Sequence, residues 1–242
     1  MIKPKKSLSQ NFINDKNICK KIVNLSSIVN KEIIEIGPGY GFLTDFIIAK
    51  KPKKMTLIEK DNVIYNFLIK KYNNKKNLKI INADVLKHDF KNYKNVIIIS
   101  NLPYNISSQI ILKLFKTSNN LSEMIFMIQK EMALKFDYNI DKLNKYKFLN
   151  RIICKYKRCF NVSSKVFFPM PKVESTVVKF EVRNNLNIDW KKIDIFISKI
   201  FKNKRKKISN NLKIKNLKVD PILQKRIDQI KINDLLRIYN SF

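Results

Sequence analysis

The sequence is poor in histidine, cysteine, glycine and acid, and each shortage excludes something. Its one histidine, His88, rules out a histidine-rich metal site and argues against a triad built on imidazole. Its three cysteines, Cys19, Cys154 and Cys159, have spacings that match neither a disulfide framework nor a zinc knuckle. The longest apolar runs reach about four to six residues, where a membrane span needs roughly 20. No apolar signal core follows the basic residues 1–6. A reduced, soluble, cytoplasmic chain with no bound metal and no membrane contact is expected.

Glycine is the most telling shortage. The 242 residues hold three glycines, and they are Gly37, Gly39 and Gly41. An average composition of about 7% glycine would scatter many more along a chain of this length. Glycine tolerates positive φ, which a tight turn or a close backbone approach to a ligand requires. The glycines that remain therefore mark a loop.

Acid is scarce too, with 19 Asp and Glu against 50 Lys and Arg, a formal net charge of +31. Lysine outnumbers arginine 44 to 6, and the chain carries 30 Asn and 38 Ile. These are residues of A/T-rich codons, so compositional drift competes with function as the source of the charge. Its placement says more than its total. Residues 142–173 and 195–219 contain no acid at all. With 45% hydrophobic and 11% aromatic residues the chain can still bury a core.

The pattern along the chain predicts an α/β protein. Glu32–Ile36, Met55–Ile58, Leu78–Ile81, Val96–Ile99 and Met124–Ile128 are short apolar runs that read as buried strands. Helical spacing falls between them at Phe42–Lys50, after Asp61 as an N-cap to about Lys71, and at Ser107–Lys116. Such alternation implies a parallel sheet with helices on both faces. Further on, Lys142–Lys157 reads as a helix, Val162–Phe168 as a strand, and Ser175–Arg183 as a closing antiparallel strand or hairpin arm. Beyond Asn184-Asn185 the chain reads as polar helix, which places a boundary near residue 185 between a domain of 1–184 and a smaller one of 185–242.

Ligands of open parallel sheets sit beyond the carboxyl ends of the strands. Four successive strand ends here carry Gly37-Pro38-Gly39-Tyr40-Gly41, Glu59, Asp84, and Asn101-Leu102-Pro103-Tyr104. Glu59 lies 20 residues after Gly39, where an acid grips ribose hydroxyls in dinucleotide sites. The third glycine comes too early for a pyrophosphate cradle, and a proline occupies the crossing point. This disfavours a dinucleotide oxidoreductase and suits a nucleoside ligand without phosphates, such as S-adenosylmethionine. Asp84 then accepts from the adenine amino group. Pro103 keeps Leu102 extended, so the Leu102 carbonyl and the Asn101 amide oxygen are two acceptors for an exocyclic amino group, and Tyr104 offers a face for a base to stack on. A strand-to-helix turn with a packed tyrosine is the bland alternative.

With these motifs in view, the chain resembles the small-subunit rRNA adenine N6-dimethyltransferases, the KsgA family. Ser9-Gln10-Asn11-Phe12-Ile13 is similar to the family's N-terminal motif, Glu35–Gly39 to its glycine loop, Ile58–Asp61 to its ribose-binding segment and Asn82–Asp84 to its adenine-binding segment. Asn101–Ser107 resembles its catalytic motif. Gln129–Glu131, Phe167–Ser175 and Phe201–Lys207 complete the series. The resemblance implies a Rossmann-like class I methyltransferase with a mostly parallel seven-stranded sheet and a small C-terminal helical domain. It implies S-adenosylmethionine bound by Asn11, Ile13, Gly37, Gly39, Glu59, Asp84 and Asn101. Asn101, Leu102 and Tyr104 would be catalytic, with Phe167 or Phe168 walling the base pocket and core packing claiming at least one of them.

The implied activity is dimethylation of two adjacent adenines in a hairpin loop near the 3′ end of small-subunit rRNA, on an immature subunit, by a monomer. In the second acid-free stretch Lys202, Lys204, Arg205, Lys206 and Lys207 are expected to contact RNA phosphates. The chain departs from the family where Leu143–Lys147 replaces a glycine-containing segment and where Ser100 precedes the catalytic Asn. Two other readings stand beside this one: a large-subunit methyltransferase of the antibiotic-resistance type, and a non-catalytic assembly factor on the same fold.

Overall fold

A computed structural model describes residues 11–184, 186–213 and 220–242. Ser9 and Gln10 of the N-terminal motif lie outside the described residues. The elements run β1 (Phe12–Ile13), α1 (Lys16–Val23), β2 (Glu32–Ile36), α2 (Phe42–Ala49), β3 (Lys54–Glu59), α3 (Asn62–Lys71), β4 (Leu78–Asn82), β5 (Val96–Asn101), α4 (Ser107–Lys116), β6 (Leu121–Gln129) and α5 (Lys130–Phe136). They continue as α6 (Lys145–Ile153), β7 (Cys154–Val162), β8 (Phe167–Phe168), β9 (Ser175–Val182), α7 (Trp190–Lys202), α8 (Ile208–Leu212) and α9 (Ile232–Ser241).

Seven strands form one sheet in the order β4-β3-β2-β5-β6-β9-β7, and β1 pairs with β8 in a separate ribbon. The pairs from β4 to β6 are parallel, and β9 lies antiparallel to β6. The closing antiparallel strand predicted from Ser175 is therefore present. Ile33, Ile97, Ile99, Ile125 and Met127 share a core with α1, α2 and α3. Phe126 points to the other face by strand alternation, where it meets Phe180 at 6.1 Å, and Phe180 in turn meets Phe115 of α4 at 5.7 Å. Helices therefore cover both faces, which explains why β2, β3 and β5 are almost wholly buried. Asp61 caps α3 as predicted, accepting from Val63 N at 2.8 Å.

Two expectations fail just after the parallel core. The helix predicted over Lys142–Lys157 ends at Ile153, and Cys154–Val162 is strand β7. In that strand Cys154 and Tyr156 are buried and Lys155 and Lys157 exposed, a period of two that outweighs helical spacing. The strand predicted over Val162–Phe168 is interrupted at Ser163, whose side chain caps a short turn at Ser164–Val166, and only Phe167–Phe168 is extended beyond it.

The chain forms two compact units, residues 1–133 with 157–182, and residues 134–156 with 183–242. The second unit thus takes in 134–156 as well as the C-terminal segment that the sequence sets apart. Packing supplies the reason. Phe148 of α6 shares a buried cluster with Phe196 and Ile200 of α7, Ile208 and Leu212 of α8, and Leu235 of α9. The Phe148 ring lies 5.2 Å from Phe196 and 5.3 Å from Tyr239. Within the same unit Lys147, at the end of the segment Leu143–Lys147, is buried and ties that segment to the residues just before it. Lys147 Nζ donates to the carbonyls of Ile140 and Asp141, both at 2.7 Å.

Candidate active site

Strand order reverses its direction of progress at β2, whose neighbours are β3 and β5. Beyond the carboxyl ends of these strands lies a cavity of about 330 Å³, where a switch point of this kind places a ligand. Asn11, Ile13, Gly37, Gly39, Glu59, Asp84, Asn101, Leu102 and Tyr104 all line it. Every cofactor and catalytic candidate of the sequence is thus brought to one place by the parallel sheet.

The glycine loop is a sequence of positive φ angles, 61° at Gly37 and 55° at Gly39. Gly37 N donates to Ile58 O at 2.8 Å, which joins the loop to the end of β3. A Cβ on Gly37 would meet nothing within 4 Å, so this side of the loop is open. A Cβ on Gly39 would stand 2.7 Å from Phe12 Cδ1. The Phe12 ring takes that space, 4.8 Å from the Tyr40 ring. Phe12 is fixed by the β1–β8 ribbon, in which Phe12 faces Phe168 and Ile13 faces Phe167, and by Asn14 N donating to Val166 O at 2.9 Å. Phe12 of the N-terminal motif therefore lies on the glycine loop. Neither phenylalanine of β8 lines the cavity: Phe167 is core, and Phe168 is 60% exposed.

Three carboxyls line the cavity, in different states. Burial pushes the Glu59 pKa above its usual value, while the backbone N–H groups of Asp61, Gly39 and Lys60 pull it back. The Asp61 bond is 2.8 Å. Asp84 is held low by Lys60, whose Nζ lies 2.8 Å from Oδ2, and by the Leu86 N–H on Oδ1. The third, Glu35, was not among the sequence candidates. It sits inside β2, 2% exposed, and accepts from Thr44 Oγ1 at 2.6 Å. Burial pushes its pKa up to about 8. Its signal in the sequence was an acid inside the apolar run Glu32–Ile36.

The segment Asn101–Ser107, expected to be catalytic, begins at the last residue of β5. Asn101 Nδ2 donates to the Asn11 carbonyl at 2.8 Å, which fixes the orientation of the amide. Its Oδ1 is buried and has no partner among the described residues. Such an acceptor is costly to leave unpaired, and it belongs to a cavity-lining residue. Leu102 N donates to Met127 O at 3.1 Å, which holds the backbone at the cavity wall. The Tyr104 hydroxyl is 2.6 Å from Ser175 Oγ, which anchors the ring, and burial pushes its pKa up, so it stays neutral. Ser100 Oγ donates to the Ile36 carbonyl, a tie between β5 and the strand before the glycine loop that a glycine would lack.

In the second unit Lys202, Lys204, Arg205, Lys206 and Lys207 are all exposed around the turn between α7 and α8. Among the described residues no carboxylate pairs with them, and Lys207 Nζ meets only the Gln224 amide oxygen, at 3.1 Å.

Comparison with known proteins agrees with this geometry. A family model described as ribosomal RNA adenine dimethylase matches residues 1–241. Ribosomal RNA small subunit methyltransferase A of Malacoplasma penetrans (strain HF-2) is 42% identical over 215 residues, 86% of this chain and 77% of the relative. The protein of the same name from Hydrogenobaculum sp. (strain Y04AAS1) is 35% identical over 244 residues, covering 100% of this chain and 94% of its own. Among solved structures, a dimethyladenosine transferase from Plasmodium falciparum superposes with a TM-score of 0.80 at 22% identity, over 96% of this chain and 97% of that one. The 23S rRNA methyltransferase ErmE superposes with a TM-score of 0.78 at 19% identity, over 95% and 98%. At such identities the two structures share the fold.

Proposed function

The chain belongs to the ribosomal RNA adenine dimethylase family, and from that premise we propose that it transfers methyl groups from S-adenosylmethionine to the N6 atoms of adenines in small-subunit rRNA. The observation that carries this reading is the buried Oδ1 of Asn101, a cavity-lining residue, which has no partner among the described residues. It is an acceptor awaiting a donor, and an exocyclic amino group is such a donor.

S-adenosylmethionine supplies an electrophilic methyl group. The residues present fit it: Gly37 leaves its side of the loop open, Gly39 lets Phe12 close against the loop, Glu59 ends β3, and Asp84 follows the end of the adjacent β4 by two residues. Asn11, Ile13, Gly37, Gly39, Glu59, Asp84 and Asn101 would hold it. Asn101 Oδ1 and the Leu102 carbonyl accept from the target amino group and turn its lone pair toward the methyl. The Tyr104 ring, locked by Ser175, stacks on the base. The gain comes from orientation, and no imidazole is required. Extrusion of the adenine from its loop costs a few kcal/mol of unstacking.

The finer assignment follows the same reading. The targets are two adjacent adenines in a hairpin loop near the 3′ end of the rRNA, each dimethylated, on an immature small subunit. The protein acts as a cytoplasmic monomer and contributes to subunit maturation. Among the described residues no helix is long and apolar enough to cross a membrane. Lys202, Lys204, Arg205, Lys206 and Lys207 supply sequence-independent contacts to RNA phosphates. The small subunit is preferred over the large as substrate because the relatives at 35–42% identity carry the small-subunit name. The test supplies labelled S-adenosylmethionine with undermethylated small or large subunits. Label on the small subunit supports the reading, and label on the large subunit alone overturns the substrate.

A further inference from the structure

Two side chains at the end of α3 are not among those lining the candidate active-site cavity, yet both reach back about 30 residues to the glycine loop. Lys71 Nζ donates to the Tyr40 carbonyl at 3.0 Å and to Asp45 Oδ2 at 2.8 Å, with a longer contact to the Gly41 carbonyl at 3.4 Å. The Tyr72 hydroxyl lies 2.7 Å from Asp45 Oδ1 and 3.0 Å from the Gly41 carbonyl, and shares its one proton between them. Asp45 thus receives a donor on each oxygen. It lies in the first turn of α2, where negative charge is favoured. Gly41, at φ 77°, leaves no room there: a Cβ would collide with the Tyr72 hydroxyl and stand 3.0 Å from Cζ. Tyr72 is 5% exposed, and burial keeps its phenol neutral and able to donate.

We propose that Lys71 and Tyr72 are positioning residues, which hold residues 40–45 so that the glycine loop keeps the shape that receives S-adenosylmethionine. A loop with three glycines has more backbone freedom to lose than one of its length without them. If that freedom were lost on binding, it would weaken affinity for the cofactor. The clamp removes it when the chain folds. No motif requires either residue, and their partners are two backbone carbonyls and a helix-start acid. The inference rests on the assignment of the cavity to S-adenosylmethionine.

The test measures S-adenosylhomocysteine affinity by calorimetry, together with steady-state kinetics and unfolding temperature, on the full chain and its variants. Tyr72→Phe and Lys71→Met are each expected to weaken binding about three- to tenfold, the loss of a typical net hydrogen bond. KM for the cofactor rises, while kcat at saturation and KM for RNA stay unchanged. Lys71→Arg keeps donors in place and restores most of the affinity. A role confined to stability predicts a lower unfolding temperature with unchanged affinity, and that result overturns the proposal. If Tyr72→Phe fails to fold, Lys71→Met decides, because that side chain is partly exposed. Gly39→Val separates the proposal from its premise. If it leaves affinity intact, the cavity assignment fails. If it abolishes binding while the clamp variants bind normally, the clamp alone fails.

Discussion

Replacing Asn101 with alanine should uncouple activity from stability in an unusual direction. Among the described residues the Asn101 amide makes one hydrogen bond, Nδ2 to the Asn11 carbonyl at 2.8 Å, and leaves Oδ1 buried without a partner. Truncation forfeits the bond, about 0.5–1.5 kcal/mol, and relieves the stranded acceptor, about 1–3 kcal/mol. The free protein is therefore expected to lie between about 0.5 kcal/mol less and about 2.5 kcal/mol more stable. For a chain of this size the upper end is a rise in unfolding temperature of about 5–10 °C. Turnover moves the other way. Removal of one preorganised hydrogen-bonding group typically costs about 10²–10³ in kcat, and the same is expected here, with a far smaller change in S-adenosylhomocysteine affinity. The assays are thermal unfolding and single-turnover methyl transfer to undermethylated small subunits. Undiminished turnover, or a fall of several degrees in unfolding temperature with the loss of activity, would refute the reasoning, because the acceptor would then be structural.

Further outcomes follow from the same geometry. Gly39→Ala places a Cβ 2.7 Å from Phe12 Cδ1, so it should weaken cofactor binding by calorimetry, and Phe12→Ala in the same chain should recover part of the loss; strictly additive effects would contradict the contact. Glu35 carries a folded-state pKa raised from 4.5 to about 8. The folded chain therefore binds more protons than the unfolded one between these values, and stability contributed below about pH 4.5 is lost as pH rises toward 8. Denaturant titrations should show Glu35→Gln flattening that decline, and an unaltered pH slope would contradict it. Replacing Lys204, Arg205, Lys206 and Lys207 with glutamine should weaken subunit binding and lower the slope of log affinity against log salt by about 0.7–0.9 for each phosphate no longer neutralised. Turnover at saturating RNA should hold, and an unchanged slope would remove these residues from the interface.

Much of the site was legible because parallel strands deliver their carboxyl ends to one edge. Gly37, Glu59, Asp84 and Asn101 could be collected from strand ends before any distance was known. What escaped depended on contacts far apart in sequence or on mixed signals. Glu35 lies within a strand, where the search for loop residues does not look. Lys71 and Tyr72 act through carbonyls and Asp45, 26 to 31 residues away, and carbonyls leave no trace in side-chain spelling. Lys142–Lys157 mixes helical and alternating spacing, and only pairing in the sheet turns its end into β7. The boundary near residue 185 missed α6, because Phe148 finds its partners some 50 to 90 residues later, in α7 and α9. The total charge of +31 names no site, whereas its placement singles out an exposed run at Lys202–Lys207 that pairs with no carboxylate among the described residues.

The most direct measurement is a nucleoside digest of undermethylated small subunits incubated with the protein and S-adenosylmethionine. N6,N6-dimethyladenosine should accumulate in the small-subunit rRNA and vanish with Asn101→Ala. Its absence from a reaction in which the protein demonstrably binds the cofactor would contradict the account.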